Sequence, residues 1–212
     1  MIKTITAIHP AKRDPNLRDV YVDDSLTTTL HLSLVESLHI EINQEWTEEI
    51  EDRVSKLQES TKARQIAIDL ISRRLWGTAE LKMRLIKRGI SKPIALETVN
   101  QLIEDDWLDD LNYAKALIKE WLRKEPAGRK WLLHKLLEKK ISSEVSGNAV
   151  NDELGDISEQ ELATNLAIIR ISKLTSTDDS SLRRKVMSVL ARKGFSMDVA
   201  SEAFRHAQEN HA

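Results

Sequence analysis

The chain has 212 residues, 41% of them hydrophobic and 31% charged, with six glycines, four prolines, no cysteine and a net charge of −2. So many helix formers and so few turn residues predict a helical fold, and the lack of cysteine excludes disulfides, thiol chemistry and thiolate metal sites. No apolar run reaches the roughly 18–20 residues of a membrane span and the N-terminus lacks the apolar core of a signal peptide, so a cytoplasmic protein without membrane contact is expected.

Charge is unevenly spread along the chain. Residues 1–60 hold six basic and twelve acidic side chains, residues 61–142 eighteen and eleven, and residues 143–212 eight and eleven. The basic middle between acidic flanks can attract phosphate or an acidic protein face, and it can equally be a solvated helix surface.

In the first sixty residues, Asp19-Val20-Tyr21-Val22 and Thr28-Thr29-Leu30-His31-Leu32 read as strands joined by a turn at Asp23-Asp24-Ser25. They predict a small β-hairpin, with a weaker strand signal near residues 2–8. A hairpin is rarely stable alone, so it must pack on helices or on a partner. Thr47-Glu48-Glu49 then reads as a helix start, with Thr as the cap and acids in the first turn.

From Thr61 onward the sequence repeats with a period of roughly 50 residues. Three corners mark the period: Lys87-Arg88-Gly89-Ile90-Ser91, Lys139-Lys140-Ile141-Ser142 and Arg192-Lys193-Gly194-Phe195-Ser196. Apolar residues stand four and eight places before each glycine or its counterpart: Leu85 and Leu81, Leu136 and Leu132, Leu190 and Val186. A glycine here closes a helix in the left-handed conformation, the next apolar residue packs back, and the serine caps the following helix. Lys140 replaces glycine in the second copy, at a cost of about 1 kcal/mol if it must be left-handed.

Three helices are expected per repeat: 62–75, 79–88 and 92–106; 110–124, 129–140 and 143–154; 158–174, 180–193 and 197–209. The expected fold is mainly α, with three tandem three-helix repeats in an elongated array and a small N-terminal β-hairpin extension. The extension, with the start of the first long helix, takes 1–58, and the repeats take 59–107, 108–156 and 157–212. The stretch from Ser146 to Glu161 has two glycines and no Lys or Arg, and six acids counted from Glu144, so it is the expected flexible joint.

Signs of catalysis are missing. No phosphate-binding glycine loop, nucleophile elbow or HExxH motif occurs, and His9, His31, His39, His134, His206 and His211 show no ligand spacing. No enzyme activity, metal or cofactor is expected. Asp105-Asp106 and Asp109-Asp110 could hold Mg²⁺, but acids at helix boundaries serve mainly as caps. Tyr113, Leu117 and Trp121 share a helical stripe and read as core, Trp76 and Trp107 read as plugs between helices, and Trp131, after Arg129-Lys130, reads as a contact candidate.

Several of these stretches resemble the RecX family. They are Ala67 to Gly89, with Ser72-Arg73-Arg74, Thr78-Ala79-Glu80-Leu81 and Leu85-Ile86-Lys87-Arg88-Gly89; Leu108-Asp109-Asp110-Leu111-Asn112-Tyr113-Ala114; Pro126-Ala127-Gly128-Arg129-Lys130; and Leu190-Ala191-Arg192-Lys193-Gly194-Phe195. The resemblance spans about 65–205, and Val20-Tyr21-Val22-Asp23-Asp24 is similar to the family's N-terminal extension. Departures are Lys140, the stretch from Ser146 to Glu161, Ala127 between Pro126 and Gly128, and Asp24 where the family often has glycine. The resemblance implies tandem three-helix repeats that bind the RecA nucleoprotein filament, inhibit its ATPase, strand-exchange and coprotease activities, and thereby modulate recombination, DNA repair and the SOS response. It implies no catalytic residues.

The expected partner is therefore the RecA filament, with single- or double-stranded DNA inside it as a further contact, and the protein is expected to be a monomer. A direct DNA-binding helix-turn-helix module is the alternative, against which the pI near 6.3 argues. Candidate contact residues are Arg84, Lys87 and Arg88 in the first repeat and Arg123, Lys124, Arg129, Lys130, Lys135 and Lys139 in the second. Within 121–140, seven basic side chains face only Glu125 and Glu138. Leu132, Leu133, Leu136 and Leu137 are expected to fill the core face and leave Arg129, Lys130, Lys135 and Lys139 outward.

Overall fold

In the computed structural model, which describes residues 2–12, 14–155, 157–174 and 178–209, the chain begins with three strands. They are β1 (Ile5–Ala11), β2 (Asp14–Val22) and β3 (Ser25–His31), antiparallel in the order β1-β2-β3. Asp23 and Asp24 take φ of 48° and 60°, the pair of left-handed residues that a two-residue hairpin turn requires. The expected hairpin is thus two-thirds of a larger sheet, because residues 5–11 add a full strand. Alternation puts Ile5, Val20, Val22 and Leu30 on the buried face, where Trp46 and Val54 complete a small core.

Ten helices follow among the described residues. Helix α1 (Leu32–Ser37) is short, and α2 (Glu48–Ile71) is the longest at 24 residues. Thr47 caps α2 by accepting the Ile50 N–H at 3.2 Å, and Glu48, Glu49 and Glu51 occupy the positive end of the helix dipole. The helix expected over 62–75 therefore starts fourteen residues earlier and ends sooner, leaving Arg73 to Trp76 as a non-helical link. The remaining helices are α3 (Thr78–Lys87), α4 (Lys92–Glu104), α5 (Asp110–Lys124), α6 (Arg129–Glu138), α7 (Ser143–Leu154), α8 (Glu159–Ser172), α9 (Asp179–Arg192) and α10 (Met197–Glu209).

Two compact units form, one from Met1–Arg73 with Arg84–Gln101 and the other from Arg74–Met83 with Leu102–Ala212. In the first, Gln58 of α2 donates to Thr28 Oγ1 at 3.1 Å and to the Thr29 carbonyl at 3.0 Å, tying the helix to β3. Glu59 accepts the Ser91 N–H at 2.6 Å and the Ser91 hydroxyl at 2.9 Å, anchoring the start of α4. The second unit has one continuous core running through α5 to α10, with Ile118, Leu132, Leu136, Leu166 and Leu190 fully buried. Among the described residues no helix is long and apolar enough to cross a membrane.

The three corners share one hydrogen-bond pattern. Ile90, Ile141 and Phe195 donate to the carbonyls of Leu85, Leu136 and Leu190, each at 3.2 Å, and inside these bonds Gly89, Lys140 and Gly194 donate three residues back to Ile86, Leu137 and Ala191. This is the Schellman closure, and it forces φ of 87°, 65° and 86° on Gly89, Lys140 and Gly194. Lys140 thus does take the left-handed conformation on which its cost depends.

The expected joint is mostly ordered helix. Ser146 to Leu154 belong to α7, Ser146 is fully buried, and the break is confined to Gly155–Ser158, of which Asp156 lies outside the described residues. Sparse bulky residues here fit close helix packing: α5 and α7 lie against each other, and Ala114, Ala149 and Val150 are fully buried in their common core.

Candidate partner-binding surface

Helix α3 buries Leu81 and Leu85, so its remaining face must carry the charges. Arg84, Lys87 and Arg88 are exposed in its last turn and corner, and none forms an ion pair among the described residues. Cations suit this helix end, where unpaired carbonyls leave partial negative charge. Lys92, just past the corner, is also exposed and closes the basic run 82–92 that begins on α3.

The second-repeat candidates divide into two kinds. Arg123, Lys130 and Lys139 are exposed without ion pairs among the described residues, and exposed Lys124 pairs with Glu120 at 2.5 Å one turn back. Arg129 and Lys135 are instead half-buried, contrary to the outward placement expected. The Arg129 guanidinium donates to Asn151 Oδ1 on α7, and Lys135 pairs with Glu138 at 2.7 Å. Leu137, expected in the core, is 46% exposed. The buried stripe of α6 is the narrow Leu132–Leu136 line, and its hundred-degree steps put Arg129 at the seam with α7 and Leu137 outside.

The aromatic expectations also change. Trp131 packs edge-on against Trp121, ring centroids 5.6 Å apart, and Lys193 Nζ lies 4.4 Å above its ring. Lys193 bonds Glu125 Oε2 at 2.9 Å, and Arg170 bonds the other oxygen. Burial pushes the Glu125 carboxyl up, but the Lys193 hydrogen bond and the two cations outweigh it and hold it below the usual carboxylate range. Trp131 is thus part of the core's edge. Trp107, expected as a plug, is 53% exposed.

The acids of Leu108-Asp109-Asp110 act as caps. Asp109 accepts the N–H groups of Leu111 and Asn112 at 2.7 and 3.1 Å at the start of its own helix. Asp110 reaches to α3, where the Thr78 N–H and hydroxyl both donate to it at 2.8 Å. Glu80 is held by Arg74 at 2.8 Å and by the Tyr113 hydroxyl at 2.8 Å, and the Arg74 guanidinium stacks 3.5 Å over Trp76. These carboxylates are engaged with donors, and no His, Asp or Glu group suited to a metal occurs among the described residues.

Comparisons with known proteins agree with this architecture. A family model described as "RecX, third three-helix domain" matches residues 158–204. The chain is 30% identical over 155 residues, 73% of its own length and 95% of the relative's, to "Regulatory protein RecX" of Neisseria meningitidis serogroup B. It is 26% identical over 211 residues, 97% of each chain, to the protein of that name from Clostridium perfringens strain 13. Among solved structures, "Crystal structure of regulatory protein RecX" superposes with a TM-score of 0.73 at 19% identity, covering 97% of this chain and all of the other. The structure of RecX from Lactobacillus salivarius gives 0.62 at 22% identity over 72% of this chain and 99% of the other. Near full-length coverage of a relative at 30% identity, on a shared helical fold, makes this chain a member of the RecX family of regulatory proteins.

Proposed function

We propose that this chain binds the RecA nucleoprotein filament and inhibits its ATP hydrolysis, strand exchange and repressor cleavage. The observation that carries the reading is the placement of Arg84, Lys87, Arg88, Arg123, Lys130 and Lys139, exposed and without ion pairs among the described residues, in a member of a family of regulatory proteins. Unpaired cations on rigid helices offer steering and register to an anionic partner without reorganisation. Several such faces joined in one chain add through effective concentration, so each contact can be weak. The protein itself performs no chemistry in this reading, and its place of action is the cytoplasm.

The test is DNA-dependent ATP hydrolysis by the cognate recombinase on single-stranded DNA, with this protein titrated from substoichiometric to equimolar amounts. The expected result is a progressive fall in rate, with no hydrolysis by the protein alone. An unchanged rate at excess protein overturns the reading, and salt-sensitive nanomolar binding to bare DNA in that case favours the direct DNA-binding alternative.

A further inference from the structure

A groove of about 610 Å³ opens in the second unit beside the Leu108-Asp109-Asp110 turn. Its apolar lining comes from Ile103 at the end of α4, Leu111 in the first turn of α5 and Val145 on α7. Ile103 is 42% exposed, and Trp107, which precedes the lining residue Leu108, is 53% exposed. Ile103, exposed where it lines the groove with Leu108, Leu111 and Val145, gives the groove an apolar floor open to a partner's side chain.

The rim is of one sign. Asp106, Asp109 and Asp110 line it and no Lys or Arg does. Asp109 and Asp110 are fixed by the hydrogen bonds that cap α5 and α3, so their charge stays put when a ligand arrives. Asp106 is exposed in a left-handed turn, φ 59°, and makes no ion pair among the described residues. Lys115, one turn beyond Leu111, is already paired with Asp152 at 2.7 Å.

We infer that this groove docks a cationic amphipathic segment of a protein partner, with an aliphatic side chain seated against Ile103, Leu111 and Val145 and flanking Lys or Arg against the acidic rim. Charge complementarity selects that occupant, since an acidic segment or a nucleic acid would meet three carboxylates with no cation among the lining residues. The size suits a few side chains of one segment. The surface is opposite in sign to the exposed basic faces, so the inference does not depend on the filament reading.

The test uses the full chain and two synthetic amphipathic peptides, one of Lys and Leu and one with every Lys changed to Glu. In methyl-labelled spectra, the Lys peptide is expected to shift Ile103 and Val145 and the Glu peptide to leave them unmoved. The double variant Ile103→Ser with Asp106→Asn keeps a residue that tolerates the left-handed turn, and it is expected to bind the Lys peptide at least about tenfold more weakly with unchanged helicity. Equal binding by the variant, equal shifts with both peptides, or no shift at these methyls overturns the inference. Shifts that appear on raising protein concentration alone, together with a doubled mass, assign the groove to a second copy and overturn it as well.

Discussion

Thr78 and Asp110, 32 positions apart, are joined by two hydrogen bonds of 2.8 Å, the backbone N–H and the hydroxyl of one donating to the two carboxylate oxygens of the other. Thr78 is the first residue of α3 and Asp110 the first of α5, so the start of one helix supplies the cap of another. The arrangement recurs where Glu159, first in α8, accepts the N–H of Arg129, first in α6, at 3.2 Å. Gly128 gives α6 no side-chain cap of its own, which leaves that role to Glu159.

Removing these remote caps should weaken the fold. Asp110→Ala is expected to lower unfolding stability by about 1–2 kcal/mol, measured as a shift in urea midpoint at constant slope, with Asp110→Asn retaining part of the effect. Glu159→Ala should cost less, because it loses one longer bond. Equal midpoints for Asp110→Ala and the parent would show that Thr78 finds water at no cost.

The corners make an internally controlled series. Lys140→Gly is expected to stabilise by about 0.5–1 kcal/mol, the strain of a left-handed lysine less the entropy of a more flexible unfolded chain. Gly89→Ala should cost about 1 kcal/mol from backbone strain alone, since a Cβ there meets nothing within 4 Å. Gly194→Ala should cost clearly more, because its Cβ would lie 2.6 Å from the Trp131 backbone nitrogen. Thermal melts that failed to rank Gly194→Ala as the worst would overturn this packing argument.

Glu80 and Tyr113 should give stability a pH dependence at both ends. Burial pushes the Glu80 carboxyl up, yet hydrogen bonds from Arg74 and Tyr113 outweigh it and leave it below its ordinary 4.5. Its contribution is therefore complete above about 4.5 and is lost as pH falls through the depressed folded value. Burial, then the hydrogen bond to Glu80, pushes the Tyr113 phenol from 10.0 to about 12. That contribution is complete below 10 and is lost as pH rises towards 12. Urea midpoints against pH should lose the acidic slope in Glu80→Gln and keep a shallower alkaline one, because burial of Tyr113 remains when the hydrogen bond to the carboxylate is gone. A parent-like profile in the variant would place the titrating groups elsewhere.

Half-buried and exposed cations should separate on mutation. If the proposed inhibition of RecA ATP hydrolysis holds, reversing Arg123, Lys130 and Lys139 together to Glu is expected to weaken it several-fold with nearly unchanged melting, because exposed charges each contribute about 0.2–1 kcal/mol to an interface. Arg129→Glu should lower the melting temperature, since a carboxylate cannot replace the guanidinium that donates to Asn151 at the seam with α7. If the triple variant inhibits like the parent, the basic face of this unit is only a solvated surface.

What the sequence made legible was local. The Schellman corners follow from Gly89, Gly194 and the apolar residues at fixed offsets, and Thr47, Ser142 and Asp109 announce helix starts because a cap acts within three residues. Charge counting likewise marked Arg84, Lys87 and Arg88 as surface cations, since their neighbours Leu81 and Leu85 settle which way the helix faces. Features that depended on distant partners were faint or illegible. Strand β1 gives only the weaker signal near residues 2–8, because it needs β2, with Ile5 opposite Val22, and its own alternation is interrupted by His9 and Pro10. Arg129 reads as one more surface cation until α7 brings Asn151 beside it. Trp107 reads as a plug between helices, and only the packing shows it 53% exposed.

The Gly128 N–H donates to the Lys193 carbonyl at 2.9 Å, next to the point where Gly194 meets the Trp131 backbone. That amide is buried and serves no helix of its own, so solvent deuterium reaches it only when the end of α9 parts from the start of α6. Its exchange rate therefore clocks the separation of α5–α7 from α8–α10. If its opening free energy equals that of the Leu136 amide deep in α6, the six helices breathe as one cooperative body, and damage at either triplet is felt by both.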